Sequence, residues 1–524
     1  MPTPPSPAAP PRALSEPSRT LAVRRLEVLP AWGEPTTPFR HTWEGIVNID
    51  QFRWMARRDV QDQLALAQRE LHARHVRAIG MYDDEMRVFC RSPGAFMGLE
   101  PGTPRSNWQV VDYVIDSLLD RGLNPMYTTS FMPSALARGP TSVFSTPSRT
   151  SPPSDWAAWE RLVRDGVAHA VSRYGLGTVR SWKFEVWNEP NLSGWFWGSD
   201  QSDFFELWSR TFRAIKSVDA SLQVGGPSCG RAAWIEELMH HGAQHDCRPD
   251  YLIAHIYNND SPTEGPQAPF DSTAPAGDHS SPDFAIEVMR DVRSRIDRAG
   301  FKGELHWNEW GRSYHGVDFR REEPGEVAFI VRLLSAVSQE ADVFSYWCLS
   351  DVYDQVGYGR EAFHGGYGLF NLQGLRKPTY HAFQLLSRLG HERVAVSGTG
   401  LDTLHHAIVT APENGRAQVL VYAYDHASQP GREPLEVTVA LPPRARPIGL
   451  HRIDRHENNV VQAWRDLGAP AYLSRAQTAA LAAENHLRAS RTPVRHEVDG
   501  ARHLAHFTME RPGVALLEIE TEAE

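Results

Sequence analysis

Two Trp-Asn-Glu tripeptides are the parts of this sequence best suited to chemistry. One lies in Trp182-Lys183-Phe184-Glu185-Val186-Trp187-Asn188-Glu189-Pro190-Asn191, the other in Glu304-Leu305-His306-Trp307-Asn308-Glu309-Trp310. Each is a short apolar run that ends abruptly in a carboxylate flanked by aromatic residues. Two such carboxyls facing one another supply what cleavage of a glycosidic bond needs: an acid to protonate the departing oxygen and a carboxylate to attack the sugar carbon. On this reading Glu189 is the acid/base and Glu309 the nucleophile of a retaining enzyme. The bland alternative is a pair of structural carboxylates held by Arg or Lys, but a Glu at the end of an apolar strand is costly as packing alone.

The elements around them say how they could meet. Short β-like runs at 45–48, 76–79, 125–128, 184–187, 222–225, 252–255, 304–307 and 344–347 alternate with amphipathic stretches at 59–73, 108–121, 155–174, 203–218, 285–299 and 326–339. Several helices begin beside Asp, Asn or Ser, and two stop near Gly122 and Gly300. This alternation predicts a (β/α)8 TIM barrel, an α/β fold. Glu189 then follows the fourth strand and Glu309 ends the seventh, so both point into the mouth at the C-terminal face. After Gly390 the pattern changes to short strands at 394–396, 405–410, 418–424, 435–441 and 514–519, an accessory β-sandwich. The expected division is a disordered Pro-rich leader at 1–20, a segment at 21–40 joining the sandwich (its run 21–30 as an edge strand), a barrel at 41–389 and a sandwich at 390–524 with a helical or irregular insertion at 458–485.

Bulk properties narrow the class of ligand. A chain of 524 residues with net charge −10 has no basic surface for nucleic acid or anionic membrane, and it fits a neutral substrate better than a polyanionic one. Sixteen Trp residues are many; indole faces stack on sugar rings, but Trp is equally core material. Cys90, Cys229, Cys247 and Cys348 are scattered, against a disulfide framework or zinc site and compatible with a reducing compartment. The opening residues lack the basic and apolar regions of a signal peptide, and no window is apolar enough to span a bilayer, so the expectation is a cytoplasmic protein. The pairs His240-His241 and His405-His406 lack the companions of a zinc motif, and Gly225-Gly226-Pro227 is too short for a phosphate loop. No metal and no organic cofactor is expected.

Taken in order, the motifs resemble glycoside hydrolase family 39, the β-xylosidase and α-iduronidase family, and its β-xylosidase branch more closely. Arg173-Tyr174-Gly175 followed by Phe184-Glu185-Val186-Trp187-Asn188-Glu189-Pro190-Asn191 is similar to the family's acid/base signature. Phe131-Met132-Pro133 resembles the end of the third strand. His255 and Tyr257 match a pair on strand six that contacts the sugar, and Glu309, Trp310 and Tyr314 resemble the nucleophile segment. Ser345-Tyr346-Trp347, Ser350-Asp351, the hairpin from His364 to Leu369, Arg376-Lys377-Pro378-Thr379-Tyr380 and the tail at 458–467 are similar to later parts of the family. Three places depart from it. Asn48-Ile49-Asp50-Gln51 stands where a Gly-containing turn is usual, Arg77-Ala78-Ile79-Gly80 lacks a pocket histidine, and Asp354-Gln355 replaces an acidic pair.

The resemblance implies an exo-acting β-xylosidase that releases xylose from non-reducing ends of xylo-oligosaccharides. A β-glucosidase, an α-L-arabinofuranosidase or another exo-glycosidase is the alternative within the family, and an inactive sugar-binding barrel the alternative outside it. In this scheme Asn188 bonds the sugar 2-hydroxyl, although Asn before Glu-Pro also serves turns. Residues 255 and 257 share a strand face, so Tyr257 can orient Glu309 while His255 bonds a hydroxyl; a lone barrel histidine is as readily a satisfied core group. Tyr314 bonds nucleophile or substrate, Trp347 floors the sugar pocket, Phe131 is pocket wall or core, and Arg77 supports the carboxylates. Asp351 and His364 belong either to the rim or to the hairpin. The two carboxyls should stand roughly 5–5.5 Å apart, with the Glu309 charge keeping Glu189 protonated. Loops at 140–153, 257–278 and 350–363 would close one end of the cleft.

Overall fold

The computed structural model describes residues 24–90, 104–144, 148–260, 281–353, 355, 357–426, 432–500 and 502–521. The leader, Asp354 and most of the 257–278 loop lie outside the described residues. Eight parallel strands form one sheet in sequence order: Ile46–Gln51, His75–Ile79, Asn124–Thr128, Lys183–Glu185, Gln223–Cys229, Tyr251–Tyr257, Leu305–Gly311 and Val343–Tyr346. Strands buried on both faces read as near-continuous apolar runs, and this made them visible in the sequence. The sheet closes where the last strand meets the first: Leu349 N donates to Asn48 O at 2.8 Å, and the buried Asn48 amide donates to Ser345 Oγ, also at 2.8 Å. This part of the chain is a (β/α)8 barrel.

The helices outside the barrel have local causes. The helix Trp156–Tyr174 starts at Asp155, whose carboxylate accepts from the amides of Ala157 and Ala158; Gln201–Val218 starts at Asp200, which accepts from Asp203 N. The helix Pro324–Val337 is buried on nearly all sides because it lies between the barrel and the second unit. No helix among the described residues is long and apolar enough to cross a membrane.

The second unit has a five-stranded and a six-stranded sheet that share a core of Leu26, Val28, Val419, Val437, Phe507 and Leu517, among others. The strand Arg24–Pro30 does not sit at an edge as expected. It lies inside the five-stranded sheet, parallel to Arg432–Leu441 and antiparallel to Val396–Ser397. Its side chains alternate, with Leu26 and Val28 buried, and an edge position would leave that apolar face half covered. Four strands of this unit were not foreseen: Thr37–Pro38, Arg446–Ile453, Arg495–Asp499 and Arg502–Arg511. The 458–485 region holds two helices, Val460–Asp466 and Arg475–Glu484, which pack with Ala362, Phe363 and Leu375 of the segment following the eighth strand.

Candidate active site

Glu189 reaches the mouth through a sharp change of backbone direction. The fourth strand stops at Glu185, because Trp187 (φ 67°) and Glu189 (φ 46°) adopt left-handed conformations that no strand can continue. Trp187 Nε1 donates to Phe196 O at 2.7 Å and Glu189 N to Ser228 O at 2.8 Å, which pins the turn from both sides. Glu309 sits within the seventh strand, which runs on to Gly311. The register slips after Ala254 on one side of this strand and after Trp307 on the other, and bulges of this kind re-aim side chains.

The carboxylates meet. One oxygen of Glu189, one of Glu309 and a ring nitrogen of His255 all lie within 4.8 Å of one another. Tyr257 donates its hydroxyl to Glu309 Oε1 at 2.8 Å, and Arg77 Nη1 donates to Glu309 Oε2 at 3.2 Å. Arg77 also holds Glu185 Oε2 at 2.8 Å and Asn188 Oδ1 at 2.6 Å. The Asn188 carbonyl is engaged by Arg77, and its amide N–H groups are the donors it can offer a ligand. His255 Nδ1 lies 3.0 Å from Glu189 Oε1.

Burial dominates the electrostatics. It pushes the Glu189 carboxyl up to about 7, against the pull of Arg77 and Arg231. This corrects the expected cause, which was the charge on Glu309. Burial also raises Glu309, opposed by His255 and Arg77 and assisted by Glu189. It lowers His255 to about 4, so the imidazole is neutral near pH 7. At Glu185 burial works against the anion, but Arg77 outweighs it and the carboxyl falls below the ordinary range. Beneath the reacting pair the barrel therefore carries an ion pair, Arg77 with Glu185, both fully buried. Glu189, His255 and Glu309 offer the donor atoms of a cation site as well, although the Arg77 guanidinium beside Glu309 opposes a second positive charge.

Not every expected site residue faces the hollow. Asn188, Tyr257, Tyr314 and Trp347 line it together with Glu189 and Glu309. Arg77 and His255 are fully buried under the carboxylates, so neither is on the surface that a sugar would touch. Phe131 is fully buried as well; it packs edge-on against Trp187 at 5.3 Å and parallel to Phe196 at 6.1 Å, and Phe196 is the ring exposed to the hollow. Asp351 belongs to the hairpin: it pairs with Lys377 at 2.6 Å and accepts from Gly368 N at 2.7 Å. His364 likewise lies off this hollow, in a groove beyond Tyr353.

Other lining residues were not anticipated: Leu192, Trp195 and Phe196 after the fourth strand, Arg231 after the fifth, Asp260 after the sixth, and Tyr353 and Tyr367 after the eighth. The aromatic run Trp195-Phe196-Trp197 just past Glu189 was the one signal that pointed to any of them. All three of the departures noted above meet here. Ile79 and Gln355 line the hollow, and Gln355 Nε2 donates to the buried Asp50 at 2.7 Å.

Known proteins place this geometry in a lineage. The profile of glycosyl hydrolases family 39 matches residues 28–502. A β-xylosidase of Geobacillus stearothermophilus is 30% identical over 490 residues, 92% of this chain and 93% of that one. A β-xylosidase of Caldicellulosiruptor saccharolyticus is 31% identical over 435 residues, 82% and 86% of the two chains. The crystal structure of a monomeric β-xylosidase from Caulobacter crescentus superposes with a TM-score of 0.79 at 28% identity, covering 95% of this chain and all of that one. A match that runs from the first sandwich strand to the last hairpin, over a barrel whose mouth holds two facing glutamates, makes this chain a member of glycosyl hydrolases family 39.

Proposed function

We propose that the protein is a retaining, exo-acting β-xylosidase in which Glu309 attacks the anomeric carbon while Glu189 protonates the leaving oxygen. Glu189 then takes a proton from the water that releases the sugar. The observation that carries this reading is the approach of the two carboxylates, with oxygens no more than 4.8 Å apart. An inverting enzyme needs a gap of roughly 6.5–9.5 Å between its carboxyl groups to admit a water. Tyr257 and Arg77 orient Glu309 and stabilise its charge, Asn188 offers N–H to the sugar 2-hydroxyl, and Trp347 forms a wall for the ring. The β-xylosidases among the relatives support xylose as the glycone. The free, unpaired cysteines fit a reducing compartment, and we place the activity there.

NMR of the first-formed product tests the stereochemistry: retention supports the scheme, and inversion overturns it. A panel of aryl glycosides (xyloside, glucoside, arabinofuranoside) fixes the glycone. Glucose enters as a second reading because Ile79, an apolar side chain, stands on the wall where the family's pocket histidine is missing.

A further inference from the structure

We propose that Arg231 and Asp260 read hydroxyl groups of the departing ring, making the site selective for a sugar over a flat apolar group as the leaving alcohol. The inference rests on Glu189 as the acid, since an acid must stand beside the oxygen it protonates. The departing group then occupies the side of the hollow walled by Leu192, Trp195, Gly230 and Arg231. The backbone comes close to the acid here: a Cβ on Gly230 would lie 3.0 Å from Glu189 Oε1.

Arg231 is put there by an unusual stretch of chain. Ser228 (φ 57°), Arg231 (φ 58°) and Ala232 (φ 51°) all take left-handed conformations, which cluster at active sites and ligand clamps. The Arg231 side chain is only 7% exposed, as is Asp260, which faces it from the end of the sixth strand. The gap from Arg231 Nε to Asp260 Oδ1 is 3.9 Å, too long for a direct hydrogen bond. Asp260 Oδ2 accepts from Tyr257 N at 2.8 Å, which fixes the carboxyl with Oδ1 toward Arg231.

A sugar hydroxyl between the two can accept from the guanidinium and donate to the carboxyl, whereas an aryl ring offers neither. Burial pushes Asp260 up to about 7, so near neutrality its carboxyl can donate or accept. Trp195, 36% exposed on the same wall, presents an indole to the C–H face of a ring.

The test compares two substrates with one glycone. Wild-type turnover of the aryl panel first identifies that glycone, which examines the proposed function on its own. The nitrophenyl glycoside and the β-linked disaccharide of that sugar are then compared in wild type, Arg231→Met, Arg231→Lys and Asp260→Asn. For the Met and Asn variants the ratio of kcat/KM on disaccharide to kcat/KM on aryl glycoside is expected to fall about 10–100-fold, the scale for losing a buried hydrogen-bonding partner. Because Arg231 also acts on Glu189, the fall must shrink on a disaccharide that lacks the recognised hydroxyl. Arg231→Lys should restore part of the ratio. Equal losses on both substrates overturn the proposal. A ligand-side measurement stands independently of how the variants fold. With wild type, disaccharides lacking one hydroxyl of the reducing ring should lose at least about tenfold at one position. Values within twofold of the parent at every position would sink the idea.

Discussion

At the scale of single residues, burial lets Glu189 keep its proton to a pH at which an exposed glutamate is ionised. With its carboxyl pushed up to about 7, the acid form declines as the pH rises through that value, and kcat/KM should decline with it. Glu309 must be ionised to attack, and burial raises it too, so the acidic limb should lie above the ordinary glutamate range. A pH profile of kcat/KM on a β-linked disaccharide, whose sugar leaving group needs protonation, checks both limbs; a rate that stays flat well above pH 7 counts against Glu189 as the acid. Arg77 is the structural counterpart. Arg77→Met leaves the Glu185 carboxylate buried without its cation, a loss on the order of 3–5 kcal/mol in thermal or denaturant unfolding. Arg77→Met combined with Glu185→Gln should recover much of it. The reacting pair was legible in the sequence because each Glu ends an apolar run within a distinctive tripeptide. Arg231 and Asp260 were not, since a polar residue in a loop carries no period, and its aim depends on left-handed backbone that spacing does not reveal. Phe131, read as pocket wall or core, is core; sequence separates apolar from polar, not first ring from second, and could not choose.

At the scale of elements, packing between strands sets the tolerance of the barrel. A Cβ added at Gly225 would come within 2.2–2.5 Å of the Tyr251 ring, which is itself held by a 2.7 Å hydrogen bond from its hydroxyl to Phe184 O. Gly225→Ala is therefore expected to cost about 1–3 kcal/mol, read as a lower unfolding midpoint, with the aryl glycoside KM little changed. All eight barrel strands were visible as apolar runs, but their ends were not. The fourth stops two residues short of expectation because Trp187 leaves the extended region, and the seventh runs on through a bulged register. Two of the unforeseen sandwich strands failed differently. Arg495–Asp499 is almost wholly exposed, and Arg502–Arg511 interleaves Arg and His with its apolar positions, so neither offers a clean alternation.

At the scale of the whole molecule, barrel and sandwich are bound to each other by buried cations. Arg332, in the helix between them, donates to Thr403 O at 2.7 Å, and Arg312 donates to His426 O at 2.6 Å. The strand Arg24–Pro30 contributes Leu26 and Val28 to the sandwich core, so deletion through Pro30 leaves a gap in that core and strips the hydrogen-bonding partner from one edge of Arg432–Leu441. The shortened protein is expected in the insoluble fraction, or with an early unfolding transition by calorimetry; a soluble product with an unchanged midpoint would show the strand to be dispensable. The same pairing has a consequence for biogenesis. Arg24 leaves the ribosome 411 residues ahead of its partner Leu435. At about 5–20 residues per second that segment waits on the order of tens of seconds, through translation of the entire barrel, before it has anything to pair with. A nascent chain stalled within the barrel thus carries an unpaired strand with a bare apolar face, a natural target for chaperones.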